Sequence, residues 1–326
     1  MKQMKRILSL LLCALLMTSL LCACANQPKE EKEPEQPETQ PTVDSDAPLC
    51  DGKTLKILAV TSSFGLNTTE LLYHVAKAEG VENVIVGRLY ASGCTLQQHV
   101  EAAKTGSNFY QYTKFTDESN GQRVVMEGIP LKYGLQDEDW DIIFTQQGAA
   151  YAPLVGSYGN YLDELMPYLQ ENKTNPNARF VWNMTWAYQG DSDQKVFVSN
   201  FNSNQTAMYE SILSATKEKI VPRTDFAAII PTGTAVQNAR TSYFGDTLTK
   251  DTYHLNNLGR AIAAYTVFSI LTGKELTEVN LGPVNCYDLP QNLELSDSDR
   301  QVIIESVNNA IKTPWEVTPS AFTEKP

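Results

Sequence analysis

The stretch from Lys53 to Val60, KTLKILAV, is apolar at successive positions rather than alternate ones, and it stops abruptly in Thr61, Ser62 and Ser63. A strand with that pattern is covered on both faces, as a parallel strand between layers of helices is. The next fifty residues repeat the theme. Thr68 or Thr69 can cap a helix with Glu70 in its first turn, running to about Glu79 and ended by Gly80. Asn83 to Leu89 reads as a second strand, and Thr95 opens a second helix through His99 to Lys104. A β-α-β-α start of this kind commits the chain to an α/β fold, a parallel sheet with helices on both faces.

The pattern then changes. Phe109 to Thr116 and Gln122 to Glu127 alternate polar and apolar residues around Asn120-Gly121, the pair most diagnostic of a tight hairpin. An antiparallel hairpin inserted in the α/β frame is expected. Further strands are expected at Ile142 to Thr145, Arg179 to Met184 and Ala227 to Ile230. Helices are expected at Tyr161 to Gln170, Asn202 to Glu218, Thr234 to Arg240, Leu258 to Leu271 and Ser298 to Lys312.

The N-terminus carries an address. Lys2, Lys5 and Arg6 precede an apolar run from Ile7 to Leu21. That is a secretory signal, too short for a spanning helix, which needs about 20 apolar residues. Its end, Leu21-Cys22-Ala23-Cys24, resembles the lipobox of bacterial lipoproteins. The resemblance implies cleavage before Cys24, lipid on that residue, and a membrane-anchored protein working outside the cytoplasm. Residues 25–48 interleave Glu30, Glu31, Glu33, Glu35 and Glu38 with prolines and hold almost no apolar side chains. They have too little surface to bury to offset the entropy of ordering, so an extended tether is expected. The organisation read from the sequence is therefore signal 1–24, tether 25–48 and one domain over 49–326.

The net charge of −12 and the lack of a basic cluster exclude nucleic acid as a partner and leave the lipid as the means of membrane attachment. Of six cysteines only Cys50, Cys94 and Cys286 lie in the domain, and no CxxC pair marks a zinc or redox site. Cys50 and Cys286 are open to a disulfide in an oxidising exterior or to standing as free buried thiols. Of three histidines, His74 and His99 fall within early helices, where packed or solvated imidazoles are ordinary. His254 stands apart, in Asp251-Thr252-Tyr253-His254. A carboxylate three residues before a histidine can hold Nδ1 and leave Nε2 to take a proton from a serine. In a parallel sheet, functional groups gather at the carboxyl ends of the strands. Thr61 to Phe64, Tyr90 to Cys94, Gln146 to Gly148, Thr185 to Tyr188 and Pro231 to Gly233 are the residues expected there.

A serine after the first strand and a late D-x-x-H resemble the SGNH (GDSL) hydrolases. More closely, the chain resembles a bacterial SGNH-like family of unassigned function. The matching blocks are Ser63-Phe64, Gly93-Cys94-Thr95-Leu96, Trp140-Asp141 with Gln146-Gln147, and Thr185-Trp186-Ala187-Tyr188. They continue with Ile230-Pro231-Thr232-Gly233-Thr234-Ala235-Val236-Gln237-Asn238-Ala239-Arg240, then Asp251 to Leu255. The likeness covers roughly Leu55 to Gly273. It implies a three-layer α/β/α, flavodoxin-like sheet, with Ser63 as nucleophile, His254 as base and Asp251 as its orienting partner. It also implies an oxyanion hole from the N–H groups of Ser63 and Gly93, with Gln147 or Gln146 replacing the usual Asn as third donor.

On this resemblance the chain is expected to be an esterase that removes small acyl groups, such as acetyl, from a carbohydrate, without metal or organic cofactor. Trp186 and Tyr188 are expected on the substrate side, and Arg240 is open either to holding a carboxylate or the Asp251 loop or to a purely structural role. One departure matters. The family's Gly-Asn before the serine is Thr61-Ser62 here, so the turn is either adjusted or slow, and Ser62 competes with Ser63 for the site. The alternative function is a non-catalytic glycan-binding lipoprotein with a degenerate site.

Overall fold

The computed structural model describes residues 48–325. The signal, Cys24 and the tether up to residue 47 lie outside the described residues. β1 (Thr54–Thr61) and β2 (Asn83–Tyr90) pair in parallel, and β1 pairs on its other side with β5 (Ile142–Thr145). β6 (Arg179–Asn183) and β7 (Phe226–Ile230) extend the parallel set. The expected hairpin is formed by β3 (Tyr110–Phe115) and β4 (Val124–Ile129), antiparallel and added outside β2. The seven-stranded sheet therefore runs β4-β3-β2-β1-β5-β6-β7. The β2-β1-β5-β6-β7 part has the doubly wound order of flavodoxin-like sheets.

Helices cover both faces. On one side lie α1 (Ser63–Thr69), α2 (Leu72–Ala78), α8 (Thr232–Arg240), α9 (Asn257–Thr272) and α10 (Asp297–Lys312). α3 (Leu96–Thr105), α4 (Leu131–Gln136) and α5 (Tyr161–Asn172) pack together on the other. α6 (Lys195–Phe201) and α7 (Gln205–Lys219) complete the set. α9 is buried from Gly259 to Thr272, which is why its sequence is apolar all round rather than on one stripe.

Two elements differ from the sequence reading. The first helix begins at Ser63, directly after β1, and not near Thr68. The hydroxyls of Thr68 and Thr69 bond back to the carbonyls of Phe64 and Gly65, at 3.0 and 2.7 Å, so both sit inside the helix rather than capping it. The single helix expected over Asn202 to Glu218 is instead α7, preceded by α6. Asn202 and Ser203 take positive φ between them, and Asn204 caps α7 by accepting from the Ala207 N–H. Cys50, Cys94 and Cys286 are buried free thiols, which decides against the disulfide.

Candidate active site

β1 hands directly over to α1. Ser62 is extended (φ −104°, ψ −165°) and its carbonyl accepts from the Leu66 N–H, the first bond of the helix. Its side chain turns inward and is buried, its Oγ accepting from Gln146 Nε2 at 3.3 Å. Ser63, one residue on, is partly open to solvent. The residue that competed with Ser63 is thus tied into a buried network. Gln146 Oε1 accepts from Asn183 Nδ2 at 2.8 Å, and Asn183 Oδ1 accepts from Thr232 Oγ1 at 2.6 Å. Through that network the ends of β1, β5, β6 and β7 are bound side by side.

The Asp251-to-His254 turn is closed twice. Asp251 Oδ1 accepts from the His254 backbone N–H and Oδ2 meets His254 Nδ1, both at 2.8 Å. Burial by itself would raise the Asp251 carboxyl. The hydrogen bonds from the imidazole and the His254 N–H outweigh it and hold the group below its ordinary value. In the neutral imidazole, an ionised carboxylate at Nδ1 keeps the ring proton there and leaves the Nε2 lone pair free. Thr252 lies in the left-handed region at φ +72°, a costly conformation for a β-branched residue. It is held by Gln189 N–H on its carbonyl at 2.8 Å and by Ser192 on its hydroxyl at 3.1 Å.

The histidine turn is fastened to the serine helix. Asn67 Oδ1, within α1, accepts from the Leu255 N–H at 2.8 Å. Phe64, next to Ser63, meets the His254 ring edge-on at 6.0 Å and stacks on Trp186 at 4.0 Å. Trp186 Nε1 in turn donates to the carbonyl of Tyr253, next to His254, at 2.8 Å. Trp186 therefore joins the neighbour of the serine to the neighbour of the histidine. Neither Trp186 nor Asn67 was expected in this role; an asparagine four residues after Ser63 was the only sequence signal for the second.

The remaining expected site residues divide. Gly93 sits exposed past β2 with φ +62°, and nothing lies within 4 Å of where a Cβ would be. Gln147 corrects the sequence reading. Its amide donates to Ser157 O and Oγ at 3.1 and 3.2 Å, and its carbonyl accepts from the N–H groups of Leu96 and Gly148. Its donors are committed to Ser157 and its carbonyl braces the start of α3, so the amide is not directed at an oxyanion. Gln146 is likewise committed to Ser62. Trp186 and Tyr188 are fully or almost fully buried, so they form the floor under the site rather than an aromatic rim. Arg240 is also buried. It donates to Ala187 O at 3.0 Å and pairs with Asp246 at 3.0 Å, a structural brace whose guanidinium burial lowers to about 10. The Asp251 loop is not among these partners.

The fold is a mostly parallel α/β sheet with flanking helices, with Ser63 opening the helix that follows β1 and the Asp251–His254 couple fastened to that helix through Asn67. The chain belongs to the family described as a domain of unknown function, DUF4886, which it matches over residues 56–289. A DUF4886 family protein from Bacteroides uniformis, known from a crystal structure, is 32% identical. It covers 83% of this chain and 100% of its own, with a TM-score of 0.73. A proposed SGNH hydrolase from Slackia heliotrinireducens is 16% identical over 67% of this chain and 99% of its own, TM-score 0.42. A proposed GDSL-like lipase from Parabacteroides merdae is 14% identical over 71% and 99%, TM-score 0.40. No curated protein matches the chain.

Proposed function

We propose that this protein is a serine esterase of SGNH type, anchored by lipid at Cys24 outside the cytoplasm, that removes small acyl groups from a glycan. The observation that carries the reading is the Asp251–His254 couple fastened to the helix that starts at Ser63. In this mechanism His254 Nε2 takes the Ser63 hydroxyl proton as Oγ attacks the ester carbonyl. The N–H groups of Ser63 and Gly93 receive the oxyanion, and collapse expels the alcohol, protonated by His254. Water, deprotonated by His254, then attacks the acyl-enzyme and releases the acid. The glycan is supported by a cavity of about 690 Å³ beginning at Gly93 and lined by Gln97, Gln98, Glu101 and the exposed Tyr151. An exposed ring among amides suits a sugar face.

The test is a serine-reactive fluorophosphonate together with release of acetate from acetylated oligosaccharides. The wild-type protein should take the label and release acetate. Ser63→Ala should abolish both, and His254→Ala should lower kcat by about 10²–10⁴. A wild type that takes no label and releases no acetate would instead favour a surface glycan-binding protein.

A further inference from the structure

β4 is the bare edge of the sheet. The five residues from Val124 to Gly128 are all exposed, with Val124 at 52%, Val125 at 39% and Met126 at 37%. β7, at the opposite edge, is buried at three of its five positions. Soluble proteins usually guard a long edge with proline, lysine or an inward charge. The Val124–Met126 stretch holds none, and its one irregularity, the shifted pairing with β3, lies beyond Met126. Such an edge offers backbone donors and acceptors together with apolar side chains.

The flanking charges say what fits. Arg123 and Glu127 stand two residues either side of Val125; both are held by one neutral amide, and the Arg123 guanidinium also lies over the Tyr287 ring, 3.8 Å from its centroid. Arg123 Nη2 donates to Gln111 Oε1 at 2.7 Å, and Gln111 Nε2 donates to Glu127 Oε1 at 2.6 Å. The amide orients the two groups without cancelling either charge. An antiparallel strand centred on Val125 and of the same sequence would set Arg123 against Glu127 at both ends, Val124 against Met126 twice, and Val125 against itself. Opposite charges and apolar pairs directly across two strands are favourable. On the other face lies a hollow of about 540 Å³, whose polar part holds the mutually paired Lys114, Asp137 and Glu138 and whose apolar part, Ile85, Tyr112, Val124 and Met126, would receive the partner's Val124 and Met126. The strand is thus complementary to its own copy, the requirement for a two-fold interface.

We propose that β4 pairs antiparallel with β4 of a second copy, about a two-fold axis at Val125, joining two sheets into one of fourteen strands (twice the seven of one chain). The proposal is independent of the catalytic reading. One strand pair is a small contact, and confinement of both copies to one membrane surface would raise their effective concentration.

The test uses the full-length chain with single cysteines, oxidised mildly in intact producing cells, with the parent chain and its own cysteines as the control. Directly opposed residues have Cβ atoms about 4.5–5.5 Å apart, close enough for a disulfide on slight adjustment. Val125→Cys should therefore form a homodimer. Arg123→Cys and Glu127→Cys should each form none alone, but should link to each other when two tagged copies are co-produced. Adding Arg123→Glu should cut the Val125→Cys dimer at least tenfold, and adding Glu127→Arg to that chain should restore it, which a folding defect would not allow. No dimer at 125, equal dimers at 123, 125 and 127, indifference to the charge reversal, or linkage to a different protein would each overturn the proposal.

Discussion

Ser63 depends on two neighbours that touch. A Cβ added to Gly65 would come within 1.9 Å of Thr61 Oγ1 and 2.7 Å of Thr61 Cβ. The threonine that replaces the family's glycine is accommodated because the first turn of α1 is bare at that point. Thr61 and Ser62 also avoid the left-handed region; among the described residues the four non-glycine residues that enter it are Asn120, Asn202, Ser203 and Thr252. The altered turn is therefore built from packing and needs no glycine freedom. Gly65→Ala should cost about 1–3 kcal/mol, the usual range for overpacking, and should slow the proposed ester hydrolysis by moving Ser63. Adding Thr61→Gly should restore most of the stability, read from urea midpoints. Thr61→Gly with Ser62→Asn, on the same argument, should give no gain in rate. At this scale the contact of Asp251 with His254 Nδ1 was legible in their spacing of three residues. The sequence was misleading for Trp186 and Tyr188, because a short string does not say which way a side chain faces.

Between elements, the joint of α1 and α2 is held by a buried ion pair. Arg88, fully buried on β2, donates through Nη1 to Glu70 Oε2 at 2.9 Å and to Leu66 O at 3.2 Å. A buried pair is weak evidence of net stability, but removing one partner strands the other charge. Glu70→Ala should cost about 3–5 kcal/mol in chemical denaturation. Glu70→Leu with Arg88→Met should recover most of that loss; a double variant as unstable as the single would show that the Leu66 bond matters more than the charge. The sheet was readable because continuous apolar runs, an Asn-Gly turn and helix-length spacers leave few topologies. The start of α1 was not. Threonines that look like caps satisfy themselves within the helix, and this is decided by how closely α1 follows β1.

For the molecule as a whole, acid should be destabilising before the hydrogen-bonded carboxylates of Asp251 and Asp288 are titrated. His99 is fully buried, its Nδ1 2.7 Å from Tyr110 Oη and 3.5 Å from Cys94 Sγ, and its Nε2 has no partner among the described residues. Burial lowers the imidazole to about 3 and raises both the thiol and the phenol, so its neighbours stay neutral and give an imidazolium no counter-charge. In the unfolded chain the same histidine titrates near 6.5. Between these values the unfolded state holds the extra proton, so stability rises with pH across the window and is lost as pH falls from about 6.5 towards 3. Asp251 and Asp288 are both held below the ordinary carboxylate value, and their contributions disappear only at lower pH, below about 3.8. The slope between pH 6 and 4.5 is thus set mainly by His99, with a smaller part from His74, which burial also lowers. One withheld proton corresponds to about 1.4 kcal/mol per pH unit. His99→Gln will lower stability at every pH by breaking the contact with Tyr110, but it should flatten the slope in that window. Denaturant midpoints at half-unit steps of pH separate the two effects. A variant that is less stable yet as steep as the wild type would mean that the proton is withheld elsewhere.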